Sequence, residues 1–278
     1  MKICRTPESL SNRSMNRRGL TLMELVVVMT VLAALAAILI PLLPNLLRRA
    51  HKVTDATQSA ELAKAVQLHQ ALYITYPNEF DLMTVATGTT APDYVPNDGG
   101  VPFGGGAYLG NLTAFEAGAL NRMGVNLGHH FVATLATVDH PTLNPYAAAV
   151  TAPVTLSATT PVFVIDGTTS TNLGAIPVEL QNIIARDATA KFVVFGVGSR
   201  CTMVGKTIQN APTSVPQKGN FTPSNTYSRT GVVFQVNGVG IQTTERARFL
   251  GSVALEDDEL ESTEKDLIGY YDVANSGE

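Results

Sequence analysis

Nineteen consecutive residues, Leu25 to Leu43, carry no charge: LVVVMTVLAALAAILIPLL. As an α-helix rising about 1.5 Å per residue, this run is just long enough to cross a bilayer core of about 30 Å. A secretory signal peptide has a shorter apolar region followed by a small-residue cleavage site. Ala34-Leu35-Ala36 offers such a site, but the apolar run continues past it to Leu43. Lys2, Arg5, Arg13, Arg17 and Arg18 precede the run, and only Arg48, Arg49 and Lys52 follow closely. That bias puts the N-terminus in the cytoplasm and sends the remainder outward. Part of the chain's 45% apolar content is therefore anchor rather than core.

The basic segment is distinct in charge as well as position. Residues 1–19 sum to +4, because Glu8 offsets one of the five cations. The whole chain carries -4, so the other residues total -8, a balance that disfavours a polyanionic partner such as nucleic acid. The two cysteines are Cys4, inside that segment, and Cys201. Loss of the segment leaves one thiol and no internal disulfide, and Cys201 reads as a small buried apolar residue.

Glu24 stands at the edge of the apolar run, where a plain anchor gives no reason for it. A carboxylate costs about 2–3 kcal/mol at the centre of a membrane helix, less near the interface, and so takes a partner. Arg17-Arg18-Gly19, then Leu20-Thr21-Leu22-Met23-Glu24, then the apolar run resembles the prepilin signature of type IV pilins and type II secretion pseudopilins. The resemblance implies a membrane aspartic peptidase that cuts between Gly19 and Leu20 and methylates the new amine. Glu24 and Pro41 fall where the family has its glutamate and often a proline. Leu20 departs mildly from the commoner phenylalanine. The physical logic also stands alone: glycine offers a peptidase no side chain to obstruct it, and cutting there creates a cationic amine close to Glu24.

Helical character continues past the membrane. Residues 45–76 contain no glycine or proline and end before Pro77. Val53, Ala56, Ala60, Ala63, Val66 or Gln67, Gln70 and Tyr73 recur at spacings of three and four, a stripe suited to a sheet. Pro41 and Pro44 predict a kink or loosening near 40–44. Residues 77–160 are rich in loop formers, with a short helix expected around 113–123 and another element near 130–138. Strands are expected at 161–167, 191–198 and 231–238, the last ending in the hairpin pair Asn237-Gly238, and a short helix at 178–185. The predicted fold is α+β: a long N-terminal helix, membrane-spanning in its first half, packed on a mainly antiparallel sheet. The organisation is a 1–19 leader, a 20–76 helix with its membrane segment at about 20–44, a loop-rich 77–160 region, a 161–255 sheet domain and an acidic 256–278 tail.

Other signals carry less. Gly205-Lys206-Thr207 lacks the first glycine of a phosphate loop, since Arg200 stands there, and reads as a turn. His129, His130 and His140 lack metal-ligand spacing and read as surface or loop residues. Asp166, Asp187 and Glu179 have nothing in the sequence to join them as an acid pair. Asn111-Leu112-Thr113 and Asn220-Phe221-Thr222 match glycosylation sequons by a pattern short enough to be chance. The acidic run from Glu256 reads as a solvated tail, with calcium a minor alternative and no other cofactor expected.

The resulting expectation is a structural subunit, not an enzyme, in the inner membrane with its C-terminal domain outside. By resemblance its partners are the prepilin peptidase, other pilin or pseudopilin subunits in a helical filament, an assembly ATPase, a platform protein and membrane lipid. The alternative is a membrane-tethered binding or enzymatic domain that uses the signal only as an anchor.

Overall fold

The computed structural model describes residues 22–40, 43–86, 91, 95, 97–98, 101–131, 152–213, 229–255 and 260–261. The chain divides into two compact units, Met1–Leu46 and Leu47–Glu278. Two helices open it, α1 (Leu22–Leu39) and α2 (Leu43–Tyr73). Pro44 falls in the first turn of α2, where a missing N–H breaks no helical bond. Pro41 lies outside the described residues.

Strands and short helices follow in order: β1 (Phe80–Val85), β2 (Asn97–Asp98), β3 (Val101–Pro102), β4 (Tyr108–Asn111), α3 (Ala114–Asn121), β5 (Leu127–Phe131), β6 (Val154–Thr155), β7 (Pro161–Asp166), α4 (Val178–Arg186), β8 (Lys191–Gly196), β9 (Thr230–Asn237), α5 (Val239–Thr244), β10 (Arg248–Leu255) and β11 (Leu260–Glu261). One nine-stranded sheet runs β11-β10-β9-β8-β1-β5-β6, with β7 also on β8 and β4 on β7. Every pairing in it is antiparallel except β1 with β5. The expected α+β class with a mainly antiparallel sheet is the one observed.

Strand β8 shows why its run is apolar throughout. Val193 and Phe195 enter a core on one face that includes Leu62, Ala65 and Val66 of α2. Phe192 and Val194 enter a second core on the other face, with Leu180 and Ile184 of α4. Alternate side chains point to opposite faces, so a strand covered on both sides needs apolar residues at every position. Phe80, Phe195 and Phe234 meet in the first core at ring separations of 5.8–6.0 Å.

The buried face of α2 differs from the stripe read in the sequence. It comprises Asp55, Ala56, Ser59, Leu62, Ala65, Val66 and His69, whereas Val53, Gln67, Gln70 and Tyr73 are exposed. The true face is rotated by about one residue, or about 100° of helix. Polar residues explain the offset. Ser59 Oγ donates to the Ser252 carbonyl at 3.2 Å, and His69 Nδ1 meets the Thr75 carbonyl at 3.0 Å. Hydrogen bonding makes these groups tolerable inside, and a count of apolar positions misses them.

Residues 77–160 hold more of the sheet than their loop-like texture suggests. They supply β1, β4 and β5, and β1 lies between β8 and β5. Met83 in β1 has a left-handed backbone (φ 59°), and the β1–β5 register shifts between Asp81 and Val85. That irregularity and the buried Asp81 hide the strand from a pattern search. The expected helices near 113–123 and 178–185 correspond to α3 and α4. Thr113 and Glu116 close a reciprocal capping box at the start of α3. Asn237-Gly238 does not form a two-residue hairpin. Gly238 (φ 127°) instead starts α5, and the chain re-enters the sheet only at Arg248.

Candidate functional site

The discounted residues occupy defined places. His129 and His130 are buried in β5, a correction to the surface reading, because β5 lies inside the sheet with β1 and β6 on either side. His129 Nε2 stands 3.3 Å from Glu79 Oε2. His130 Nδ1 stands 3.1 Å from Thr84 Oγ1, and burial pushes the His130 imidazole below its ordinary value despite a bond with the Thr84 carbonyl. His140 lies outside the described residues. Cys201 is buried, as expected, and burial pushes its thiol up to about 12, leaving no thiolate for chemistry near neutral pH. Among the described residues, no three of His, Cys, Asp and Glu gather closely enough to hold a metal ion.

Of the three acids, Glu179 is exposed in the first turn of α4, while Asp166 and Asp187 have separate structural duties. Tyr108 Oη donates to Asp166 Oδ2 at 2.6 Å, and the Thr168 and Thr169 N–H groups donate to Oδ1. Burial would raise the Asp166 carboxyl, but these hydrogen bonds together hold it below its ordinary value. Asp187 accepts from Thr189 and from the Val239 N–H at the start of α5, bonds that lower it too. Gly205 (φ 77°) heads a tight turn closed by its N–H on the Ile208 carbonyl, not a phosphate loop. Part of the acidic run docks: Leu260 is fully buried and β11 pairs with the end of β10. Asn111 lies exposed at the end of β4; Asn220 lies outside the described residues.

Helix α1 is of another kind. Its sequence, LMELVVVMTVLAALAAIL, places Glu24 in the first turn and no other charge. None of its residues is buried, and Leu22 and Met23 are about four-fifths exposed. A contiguous apolar surface of this size marks a membrane or protein contact. The polar demands inside the helix are met locally, since Thr30 Oγ1 donates to the Val27 carbonyl at 2.8 Å. At 18 residues the helix is about 27 Å long, close to the thickness of a bilayer core. The first turn of a helix has unpaired N–H groups and a partial positive charge, which favours a carboxylate such as Glu24 there.

Residues 14–40 match the family model described as the prokaryotic N-terminal methylation motif. This is a prepilin-type N-terminus. No curated protein and no solved structure matches the chain.

The prepilin-type motif and α1 coincide over most of their length, and together they fit a membrane-anchored, single-pass chain. A motif of this type implies processing by a prepilin peptidase and association with other pilin subunits in general. Of the four residues that the sequence singles out, Gly19, Leu20 and Glu24 within the motif and Pro41 just after it, Glu24 is described, in the first turn of α1. Gly19, Leu20 and Pro41 lie outside the described residues. The prepilin-type motif covers the N-terminus only, so the sheet unit stands on its own geometry.

Proposed function

We propose that the chain is a prepilin or pseudopilin, a structural subunit of a type IV pilus-like or type II secretion filament, and not an enzyme. It is cut between Gly19 and Leu20, N-methylated at Leu20, and held in the inner membrane by the apolar helix with its sheet unit outside. The observation that carries this reading is an apolar helix with no buried residue, whose single charged residue, Glu24, sits in its first turn within the methylation motif. Cutting at Gly19 puts a cationic amine within about one helical turn of Glu24. Both charges sit where desolvation is costly, so pairing between one copy's amine and a neighbour's Glu24 favours a single axial register. Ala33, Ala34, Ala36 and Ala37 let helices approach closely once in register. Head-to-tail contacts that do not close then extend into a fibre, driven by an assembly ATPase and a platform protein.

Negative-stain microscopy of cells making an epitope-tagged copy tests this. Antibody-labelled filaments are the expected result. Tagged protein confined to the membrane, with its expression partners present, contradicts the reading.

A further inference from the structure

The sheet unit carries a groove of about 620 Å³, lined by the end of α2, the turn after α3, α5 and the start of β10. That volume lies within the range of small-molecule sites, about 300–1,000 Å³. Its walls are fixed by the fold. Ile74 closes α2 in the left-handed region (φ 62°), with its N–H on the Gln70 carbonyl. Thr75 then rests on Gly124 (φ 92°), where a Cβ would lie 2.9 Å from the Thr75 Cβ, and the Tyr76 N–H bonds the Met123 carbonyl. At the close of α5, Glu245 is left-handed as well (φ 53°). Arg122 clamps it there, donating to its carbonyl at 2.8 Å and meeting its carboxylate at 3.0 Å.

Arg246 and Arg248 line the groove from either side of Ala247, which is buried with its N–H on the Ala119 carbonyl. Alternate residues of an extended chain leave on one face, so the two side chains start about 7 Å apart on the same side. Neither has an ion-pair partner among the described residues, because the adjacent acid, Glu245, is taken by Arg122. Ile74 lines the same groove and is 89% exposed, a bare β-branched side chain in a backbone conformation unfavourable to it. Tyr76 adds a partly buried ring. Two uncompensated cations therefore stand beside uncovered hydrocarbon.

We infer that this groove binds a small soluble anion: a phosphate or carboxylate held by the Arg246 and Arg248 guanidiniums, with an apolar group of about ring size on Ile74 and Tyr76. Guanidinium forks take such oxyanions through paired N–H···O bonds. Walls already held in place spare the complex the cost of ordering them. A bare inorganic anion would leave Ile74 uncovered, and a neutral apolar ligand would leave the cations unpaired. The groove lies within the sheet unit, so the assignment does not depend on the filament reading.

The test uses the full-length chain in phosphatidylcholine nanodiscs, with para-fluorophenyl phosphate as the probe and fluorine NMR line broadening as the readout. Saturable broadening is expected. Para-fluorobenzylamine, which carries the same ring on a cation, should not bind, and inorganic phosphate should compete only weakly. Arg246→Gln/Arg248→Gln should lower probe affinity about tenfold or more. Ile74→Asn, a side chain that accepts the left-handed backbone, should weaken the aryl phosphate severalfold and leave competition by inorganic phosphate unchanged. Circular dichroism checks that both variants fold as the parent does. No broadening, equal binding of the amine, or a folded double arginine variant that binds like the parent overturns the inference. Binding to phosphatidylglycerol vesicles with none to the soluble probe overturns it too, and assigns the groove to a membrane surface.

Discussion

Ser59 and Ser252, 193 residues apart in the chain, join α2 to β10: their hydroxyls lie 2.9 Å apart, and the Ser252 hydroxyl also donates to the Ser59 carbonyl. Both side chains are buried, and each hydroxyl donates to the other residue's carbonyl. Ser59→Ala removes the donor to the buried Ser252 carbonyl and should cost about 1–3 kcal/mol. Ser252→Ala alone should cost a similar amount, and the double variant less than the two together. Urea midpoints of the detergent-solubilised chain, followed by circular dichroism, give the comparison. Strict additivity would show that the two serines do not act as a pair.

Acidity should weaken the sheet unit through His130. Its imidazole is held below the ordinary value of 6.5 by burial, so the unfolded chain takes up a proton more readily than the folded one. Stability is then full above about pH 6.5 and falls as pH drops toward the folded value. A lower urea midpoint at pH 5.5 than at pH 7.5 is expected, with a shallower dependence in His130→Asn, which keeps a polar atom near Thr84. Equal slopes in the two proteins would assign the effect elsewhere.

Gly238 begins α5 at a φ of 127°, and a Cβ there would lie 2.7 Å from both Asp187 Oδ2 and Gln235 Nε2. Gly238→Ala therefore combines a disfavoured backbone with loss of the Asp187 bond to the Val239 N–H. A destabilisation of about 1–3 kcal/mol is expected. A melting temperature unchanged from the parent would show that the turn relaxes without cost.

The fold is legible in the sequence where one physical demand dominates. The anchor is legible because hydrocarbon tolerates almost nothing but apolar residues across its thickness, which makes Glu24 conspicuous. Strands β7, β8 and β9 are legible because cover on both faces makes their central runs, Val162–Ile165, Phe192–Phe195 and Val232–Phe234, apolar. The face of α2 was not, because Asp55, Ser59 and His69 lie on its buried side and only the fold provides surroundings for them. Strand β1 was not, because Asp81 and the left-handed Met83 break its pattern, and β5 carries two histidines that look like surface residues until their neighbours are known. In the candidate site, the residue types and spacing are visible in the chain; the axial pairing assigned to Glu24 belongs to an assembly of copies.

Glu24→Leu separates processing from assembly. Removal of the first nineteen residues should proceed, because the cut lies at Gly19, while filament yield falls severalfold for want of the pairing carboxylate. Immunoblots report the size shift and sheared-filament fractions report the yield. Undiminished filaments would remove Glu24 from the assembly account.

Intact mass and N-terminal sequencing of the membrane-extracted protein bear most directly on the central claim. A chain that starts at Leu20 with one methyl group on its amine is expected. A chain that keeps residues 1–19, or one that begins beyond Leu43, contradicts it.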